Sequence, residues 1–186
     1  MSRTILFICI LFFIGCTSST QKNTKSDNKE TVKEPVKVGV QIGNKAPDLN
    51  YPNPEGENIS LYSLRGKIVL IDFWASWCPP CRRESSNLVA IYKDFKDKKF
   101  SKGKGFTIYS VSCDRTKEEW TEAIKKDHLI WKNHVSDLKG WEAEATYTYF
   151  INSIPSNVLI DGDGIILAKD LRDDALRTFL GTLLIK

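Results

Sequence analysis

The sequence predicts an α/β protein: a central mixed β-sheet flanked by helices, with a β-hairpin added at its N-terminal end. Three observations carry this. Ile68–Phe73 is an apolar, β-branched run that suits a strand buried on both faces, and Phe106–Ser112 reads as a second central strand. Each is followed by a stretch with helical spacing, the alternation that builds α/β layers. Asp161-Gly162-Asp163-Gly164 then marks a tight turn between two short strands, ahead of a last amphipathic stretch.

Taken in order, the folded part is expected to start near Gln41. Asp48–Tyr51 and Asn58–Ser60 flank the Pro/Gly-rich turn Pro52–Gly56 and predict an early hairpin. After the first central strand, Leu88, Ile91, Tyr92 and Phe95 recur at helical spacing and predict a helix from Pro79 to about Lys96. Pro80 disfavours helical geometry at the residue before it, so a start one residue later is expected. Lys117–Lys126 reads as a helix after the second central strand. Asn157–Ile160 and Ile165–Ala168 read as strands. Leu171–Leu184 reads as a closing helix with Leu171, Ala175, Leu176, Phe179, Leu180 and Leu183 on its apolar side. No internal repeat is present.

With 41% hydrophobic and 27% charged residues in 186, a packed core is expected rather than disorder. The net charge of +4 is mild and spread along the chain. It offers no basic stripe interleaved with aromatics, so no nucleic-acid partner is expected.

The first residues do not belong to this core. Arg3 precedes an unbroken apolar run, Ile5–Ile14, which ends at Gly15-Cys16. A basic start, a short apolar stretch and a small residue describe a secretory signal. As a helix the run would span only ~15 Å, too short to cross a bilayer. A short buried helix is the plainer reading, but the polar tract that follows offers nothing to pack against. Thr17–Glu34 holds one apolar residue, Val32, and reads as a solvated linker with a coil reach of ~25–30 Å up to Val40. The expected organisation is a signal over 1–15, a linker over 16–40 and a domain over 41–186.

Cysteine usage narrows the chemistry. Of five cysteines, Cys9 lies in the signal, and Cys16, Cys78, Cys81 and Cys113 follow it. A disulfide framework would need more pairs in a smaller chain. Cys78 and Cys81 stand two residues apart at a strand–helix junction, where they can close a small disulfide ring. Free N–H groups and the positive end of the helix dipole favour a thiolate on the first cysteine. Thiolate is the nucleophile in disulfide exchange. Cys78 is therefore the expected attacking group, and Cys81, one turn in, the resolving one. Pro79 and Pro80 fall where a helix tolerates missing donors. Half of a zinc site is the competing reading, but Cys113, His128 and His134 stand at no recognisable ligand spacing. No metal and no cofactor beyond the disulfide is expected.

The segment Ile71-Asp72-Phe73-Trp74-Ala75-Ser76-Trp77-Cys78-Pro79-Pro80-Cys81-Arg82 resembles the active-site strand and helix of thioredoxins. Ile154-Pro155-Ser156-Asn157-Val158-Leu159-Ile160-Asp161 and the following Gly162-Asp163-Gly164 resemble the later signature of the TlpA/ResA-like branch. The likeness runs from about Gly43 to the C-terminus and implies a thioredoxin-like fold. Phe13-Ile14-Gly15-Cys16 resembles a bacterial lipobox, with Phe13 in place of the usual Leu. It implies a lipid on Cys16, a membrane anchor and a domain in the periplasm.

The resemblance also implies roles. Asp72 interrupts an apolar strand run and is expected to be buried, raised in pKa, and able to take the proton of Cys81. A solvated strand end is its plainer reading. Glu84, three residues after Cys81 and four before Leu88, reads equally as an acid within the buried stripe or as an exposed first-turn acid, and the resemblance favours the first, with a tuning role. Ser86 stands where the branch often has Pro. Ile154-Pro155 is expected to be a cis-proline loop facing the disulfide. Trp77 is expected to flank the cysteines at the surface, and Trp74 to pack inside. Cys113 is expected to be buried and unreactive rather than a third redox partner. His128 and His134 are expected to be surface or core residues.

The expected function is a membrane-tethered thiol–disulfide oxidoreductase. It would pass electrons from a membrane donor, such as a thiol-reducing transmembrane protein, to client disulfides, for example on proteins awaiting haem. A peroxide-reducing redoxin is the alternative within the same fold, and the cysteine pair argues against it. A metal-carrying or adaptor module is the non-enzymatic alternative.

Overall fold

A computed structural model describes residues 36–185. The expected signal, the Cys16 anchor and most of the linker lie outside the described residues. At the centre are two strands, β3 (Ile68–Trp74) and β6 (Phe106–Ser112), parallel and buried at every position. Their largely apolar sequence, interrupted by Asp72 in β3 and by Thr107, Ser110 and Ser112 in β6, reflects this burial on both faces. The five-stranded sheet runs β7-β6-β3-β8-β9, with β7 (Asn133–Val135) parallel to β6, and β8 (Ser156–Ile160) and β9 (Ile166–Lys169) antiparallel.

Alternation along β3 separates two cores. Ile68, Leu70 and Trp74 face helices α1 (Pro79–Phe95), α2 (Lys117–Lys126) and α4 (Asp173–Thr182). Val69, Ile71 and Phe73 face α3 (Glu144–Tyr149) and the N-terminal hairpin, β1 (Asn50–Pro52) with β2 (Asn58–Ser60). Placing α1 and α2 on one face follows from right-handed crossovers between successive parallel strands. The hairpin is tied down by two buried tyrosines. Tyr109 donates to the carbonyls of Leu49 and Ile59, and Tyr149 to that of Pro47, at 2.6–3.1 Å. The turn before β9 is held by Asp161, whose carboxylate accepts from the amides of Asp163 and Ile165.

Several boundaries differ from expectation. Helix α1 starts at Pro79, not later: Cys78 takes extended geometry as its N-cap, so both prolines occupy the first helical positions. Helix α4 starts two residues after Leu171 and ends at Thr182. Its buried residues are Leu176 and Leu180, whereas Ala175 is exposed. Strand β9 starts at Ile166 and extends to Lys169. The short pair β4 (Lys99–Phe100) and β5 (Gly103–Lys104), strand β7 and helix α3 have no counterpart in the sequence reading. Each has six residues or fewer, too few for periodicity to register.

Candidate active site

The site forms where β3 ends and α1 begins. Cys78 and Cys81 are joined in a disulfide with their Cα atoms 5.3 Å apart. As N-cap, Cys78 presents its sulfur to the backbone N–H of Cys81 at 3.2 Å. Serine and aspartate oxygens usually take this position, so the geometry suits a sulfur carrying negative charge. Pro79, Pro80 and Trp77 are exposed around the pair.

The loop before Cys78 is held from two sides. Asp114, fully buried after β6, accepts from the N–H of Ser76 (3.0 Å), its hydroxyl (2.5 Å) and the hydroxyl of Ser112 (2.6 Å). Arg82, one turn into α1, donates to the Ser76 carbonyl at 3.0 Å and is itself ion-paired with Asp127 at the end of α2. Donor and acceptor of one backbone residue are thus fastened to two other elements, which fixes the approach to Cys78.

Asp72 lies on the α1 face of β3, only 6% exposed, with Glu84 and Arg172 near enough to act on its charge. A solvated strand end is ruled out. Cross-strand register places Asn157, Asp72, Ser110 and His134 in one row on this face, and all four are buried. Burial, and then the Glu84 charge, push the Asp72 carboxyl up to about 7, while the Ser110 hydroxyl and Arg172 pull the other way. The Ser110 hydroxyl is directed by Trp131, whose indole N–H donates to Ser110 Oγ at 3.0 Å. Indole can only donate, so the serine proton is left for the carboxyl. Ser110→Ala is expected to push Asp72 still higher. An NMR titration of labelled aspartate carboxyls checks this, and an unmoved Asp72 midpoint would remove Ser110 from the network.

Glu84 is half-buried on the flank of α1, beside the buried stripe of Cys81, Ser85 and Leu88 rather than within it. Its carboxylate accepts from the Asp173 N–H at 3.2 Å and from Asn87 at 3.3 Å, which joins α1 to the start of α4. Burial raises its pKa, the Asp173 side chain adds to this, and the two hydrogen bonds oppose it. The Ile154–Pro155 bond is cis. Arg172 donates to the Pro155 carbonyl, and the Asn157 side chain pairs with both backbone groups of Leu171 at 2.7 and 3.0 Å. One segment, Leu171–Arg172, therefore touches both the proline loop and the field around Asp72.

The remaining candidates pack around this chemistry without joining its hydrogen bonds. Trp74 is buried in the α1-side core. Cys113 is buried, and its thiol is pushed up to about 12 by burial and then by Asp114. Buried His134 stacks on Trp131 and is lowered to about 4 by burial, so it is neutral. His128 follows α2 with a left-handed backbone. Among the described residues no cluster of three or more His, Cys, Asp or Glu is arranged to hold a metal.

Ser76, Arg82, Ser110, Asp114, Trp131 and Arg172 were given no role by the sequence reading. Ser110 carries a legible signal, because like Asp72 it interrupts an apolar strand. Arg172 carries none, since its partner is 17 residues away.

Comparison with known proteins agrees with the geometry. Residues 42–169 match the profile of the AhpC/TSA family. The chain is 32% identical over 128 residues to the thiol–disulfide oxidoreductase ResA of Bacillus cereus, which covers 69% of this chain and 68% of that one. The thioredoxin domain of a thiol–disulfide oxidoreductase from Bacteroides vulgatus superposes with a TM-score of 0.69 at 38% identity, covering 77% of this chain and 98% of that one. A thiol–disulfide oxidoreductase from Bacteroides fragilis superposes with a TM-score of 0.67 at 37% identity, covering 75% and 99%.

Proposed function

This chain belongs to the AhpC/TSA family and is a TlpA/ResA-like thiol–disulfide oxidoreductase of the thioredoxin superfamily, and on that premise we propose that it reduces client disulfides outside the cytoplasm, anchored to a membrane through Cys16. Enzymes of this kind work with their own redox-active cysteines, without a cofactor. The observation that carries the exchange chemistry is Asp72: a buried acid with a pKa of about 7 on the face of the sheet that carries the cysteine pair. Such a group exchanges a proton near neutrality, as Cys81 must when the pair opens or closes.

The reaction then runs in two steps. The Cys78 thiolate, stabilised by the Cys81 N–H and the helix dipole, attacks one sulfur of the client disulfide. That bond breaks, a client thiolate leaves and takes a proton, and a mixed disulfide joins Cys78 to the client. The Cys81 thiol gives its proton to Asp72 and attacks Cys78 Sγ. The second client thiolate leaves, and the Cys78–Cys81 disulfide closes. The client gains two electrons and the enzyme loses two, so a membrane thiol donor must restore the dithiol. Oxidised cysteines awaiting haem attachment are the client class proposed here.

A redox titration of the Cys78–Cys81 couple tests the direction. The expected potential is near thioredoxin's, roughly −270 mV, and a value near DsbA's, roughly −120 mV, would make the protein an oxidant instead. The anchor is tested by mass spectrometry of the mature N-terminus: a diacylglycerol on Cys16 is expected, and Cys16→Ala should release the protein from the membrane fraction.

A further inference from the structure

We propose that the lysine-rich end of the domain, opposite the redox pair, docks on the anionic headgroups of a membrane and turns Cys78 and Cys81 away from the bilayer. The proposal rests on the reading above, in which the chain is held to a membrane through Cys16.

Six exposed lysines share this end. Lys67 directly precedes β3, Lys96 and Lys98 follow α1, and Lys99, Lys102 and Lys104 belong to the β4–β5 hairpin. They border two adjoining clefts of about 810 and 610 Å³, which share Phe100, Gly103 and Lys104. The hairpin is not a free arm. The Lys104 N–H donates to the Gly66 carbonyl and the Gly162 N–H to that of Lys102, both at 2.7 Å, and the Ile185 N–H reaches the Lys99 carbonyl at 3.1 Å. The lysines therefore stand on fixed backbone at the start of β3. From there β3 runs seven residues, roughly 20 Å, to the end from which Cys78 follows. The incoming chain meets the lysine-rich end too. The Ala46 N–H donates to the Gly164 carbonyl and the Gly43 N–H to that of Ile166, both at 2.9 Å, beside the turn that carries Gly162. A tether arriving from Cys16 would thus reach the domain on the side that holds the lysines.

Charge and surface chemistry both favour a bilayer. Seven cations and three carboxylates line the two clefts. Two of those carboxylates are engaged: Asp97 pairs with Lys96, and Asp161 accepts from the amides of Asp163 and Ile165. Among the described residues the other five lysines form no ion pair. The whole chain carries only +4, so the fold concentrates at one end a charge that composition alone makes look mild. Each lysine brought to an anionic lipid surface strengthens binding by about fivefold. A nucleic acid would want exposed rings for its bases, and Phe100, which lines both clefts, is only 3% exposed. The large apolar side chain exposed here is Ile185, which suits the boundary between headgroups and acyl chains. Docked by this end, the domain presents its redox pair to soluble clients, and a membrane donor has to project its thiols outward to meet it.

The test uses the full-length protein as exported, reconstituted with vesicles of equal parts phosphatidylglycerol and phosphatidylcholine, or of phosphatidylcholine alone. Acetylation of each lysine is followed by mass spectrometry. With phosphatidylglycerol, labelling of the six lysines should slow by about fivefold relative to Lys117 at the start of α2 and Lys126 in the cleft beside Trp77. About 0.5 M salt should restore it, because screening then acts within ~5 Å. In the double variant Lys98→Glu, Lys102→Glu the protection of the remaining four should fall to about twofold or less, with insulin reduction in solution changed by no more than about twofold. If that variant fails to fold, the salt response decides alone. Equal labelling in the two kinds of vesicle, or protection that survives salt, overturns the docking surface, and a diacylglycerol found on Cys16 then leaves the anchor reading intact. Salt-sensitive protection in a chain that lacks the diacylglycerol keeps the surface and removes the anchor. Protection that is present without lipid and fades on dilution assigns this face to a second copy and also overturns the proposal.

Discussion

Cys78→Ala is expected to abolish disulfide reduction, lowering turnover by more than about a thousandfold, because it removes the sulfur that the helix start stabilises as a thiolate. Cys113 is the third cysteine of the domain, but it is buried and its thiol is pushed up to about 12, so it is almost wholly protonated at neutral pH. Cys113→Ser should therefore leave turnover within about twofold. Cys81→Ser should separate the two steps. Attack by Cys78 persists, but nothing resolves the product, so the client accumulates as a mixed disulfide on Cys78. Insulin reduction, followed by non-reducing electrophoresis and mass spectrometry of the trapped species, checks all three variants. Residual turnover in Cys78→Ala, or its loss in Cys113→Ser, would move the nucleophile away from the helix start.

Asp72→Asn is expected to stabilise the fold while slowing the reaction. The Asp72 carboxyl is raised from its ordinary value of 3.8 to about 7, chiefly by burial and next by Glu84. Between these two pH values the folded protein holds a proton that the unfolded chain has lost. The unfolded state binds fewer protons there, so stability falls as pH rises through the window, and the penalty is complete above about pH 7. Three pH units correspond to at most ~4 kcal/mol, and partial relaxation of the site reduces this to roughly 2–4 kcal/mol. The amide fills the same space without the charge. At pH 8 the variant should melt roughly 5–10 °C higher than wild type in the oxidised form, with the gain disappearing near pH 4. Turnover at pH 7 should drop by roughly 10–100-fold, because Cys81 loses its proton acceptor. Melting curves at pH 4 and pH 8 and a pH–rate profile measure both sides. A variant that slows the reaction with no pH-dependent gain in stability would mean that Asp72 does not carry the raised pKa.

Such opposition between stability and activity is expected where an acid is held in a core for chemical reasons. Glu84 belongs to the same balance. Its charge pushes Asp72 up, while its hydrogen bond to the Asp173 N–H fastens α4 to α1. Glu84 is therefore a structural tie as well as a source of charge, which neither the exposed nor the buried-stripe reading of the sequence anticipated.

What could be read from the chain without its fold is whatever has a local cause. β3, β6, α1 and α2 are long enough for hydrophobic periodicity to mark them, and both hairpins have turn residues that admit few conformations. The Cys78–Cys81 pair and its placement at a helix start follow from spacing and from the strand that precedes it. The burial of Asp72 was expected through the family resemblance, because the strand pattern alone also fitted a solvated strand end. The rest depends on contacts between residues far apart in sequence. Asp114 reaches Ser76 across 38 residues, Trp131 reaches Ser110 across 21, and Glu84 reaches Asp173 across 89. Strand β7 exists because β6 offers it an edge, and α3 because the second sheet face must be covered. Sequence by itself therefore determined the fold class and the reacting sulfurs, whose causes lie within a few residues. Only the tertiary structure decided the surroundings that set their proton affinity and their access, because burial and electrostatic fields arise when distant segments pack together.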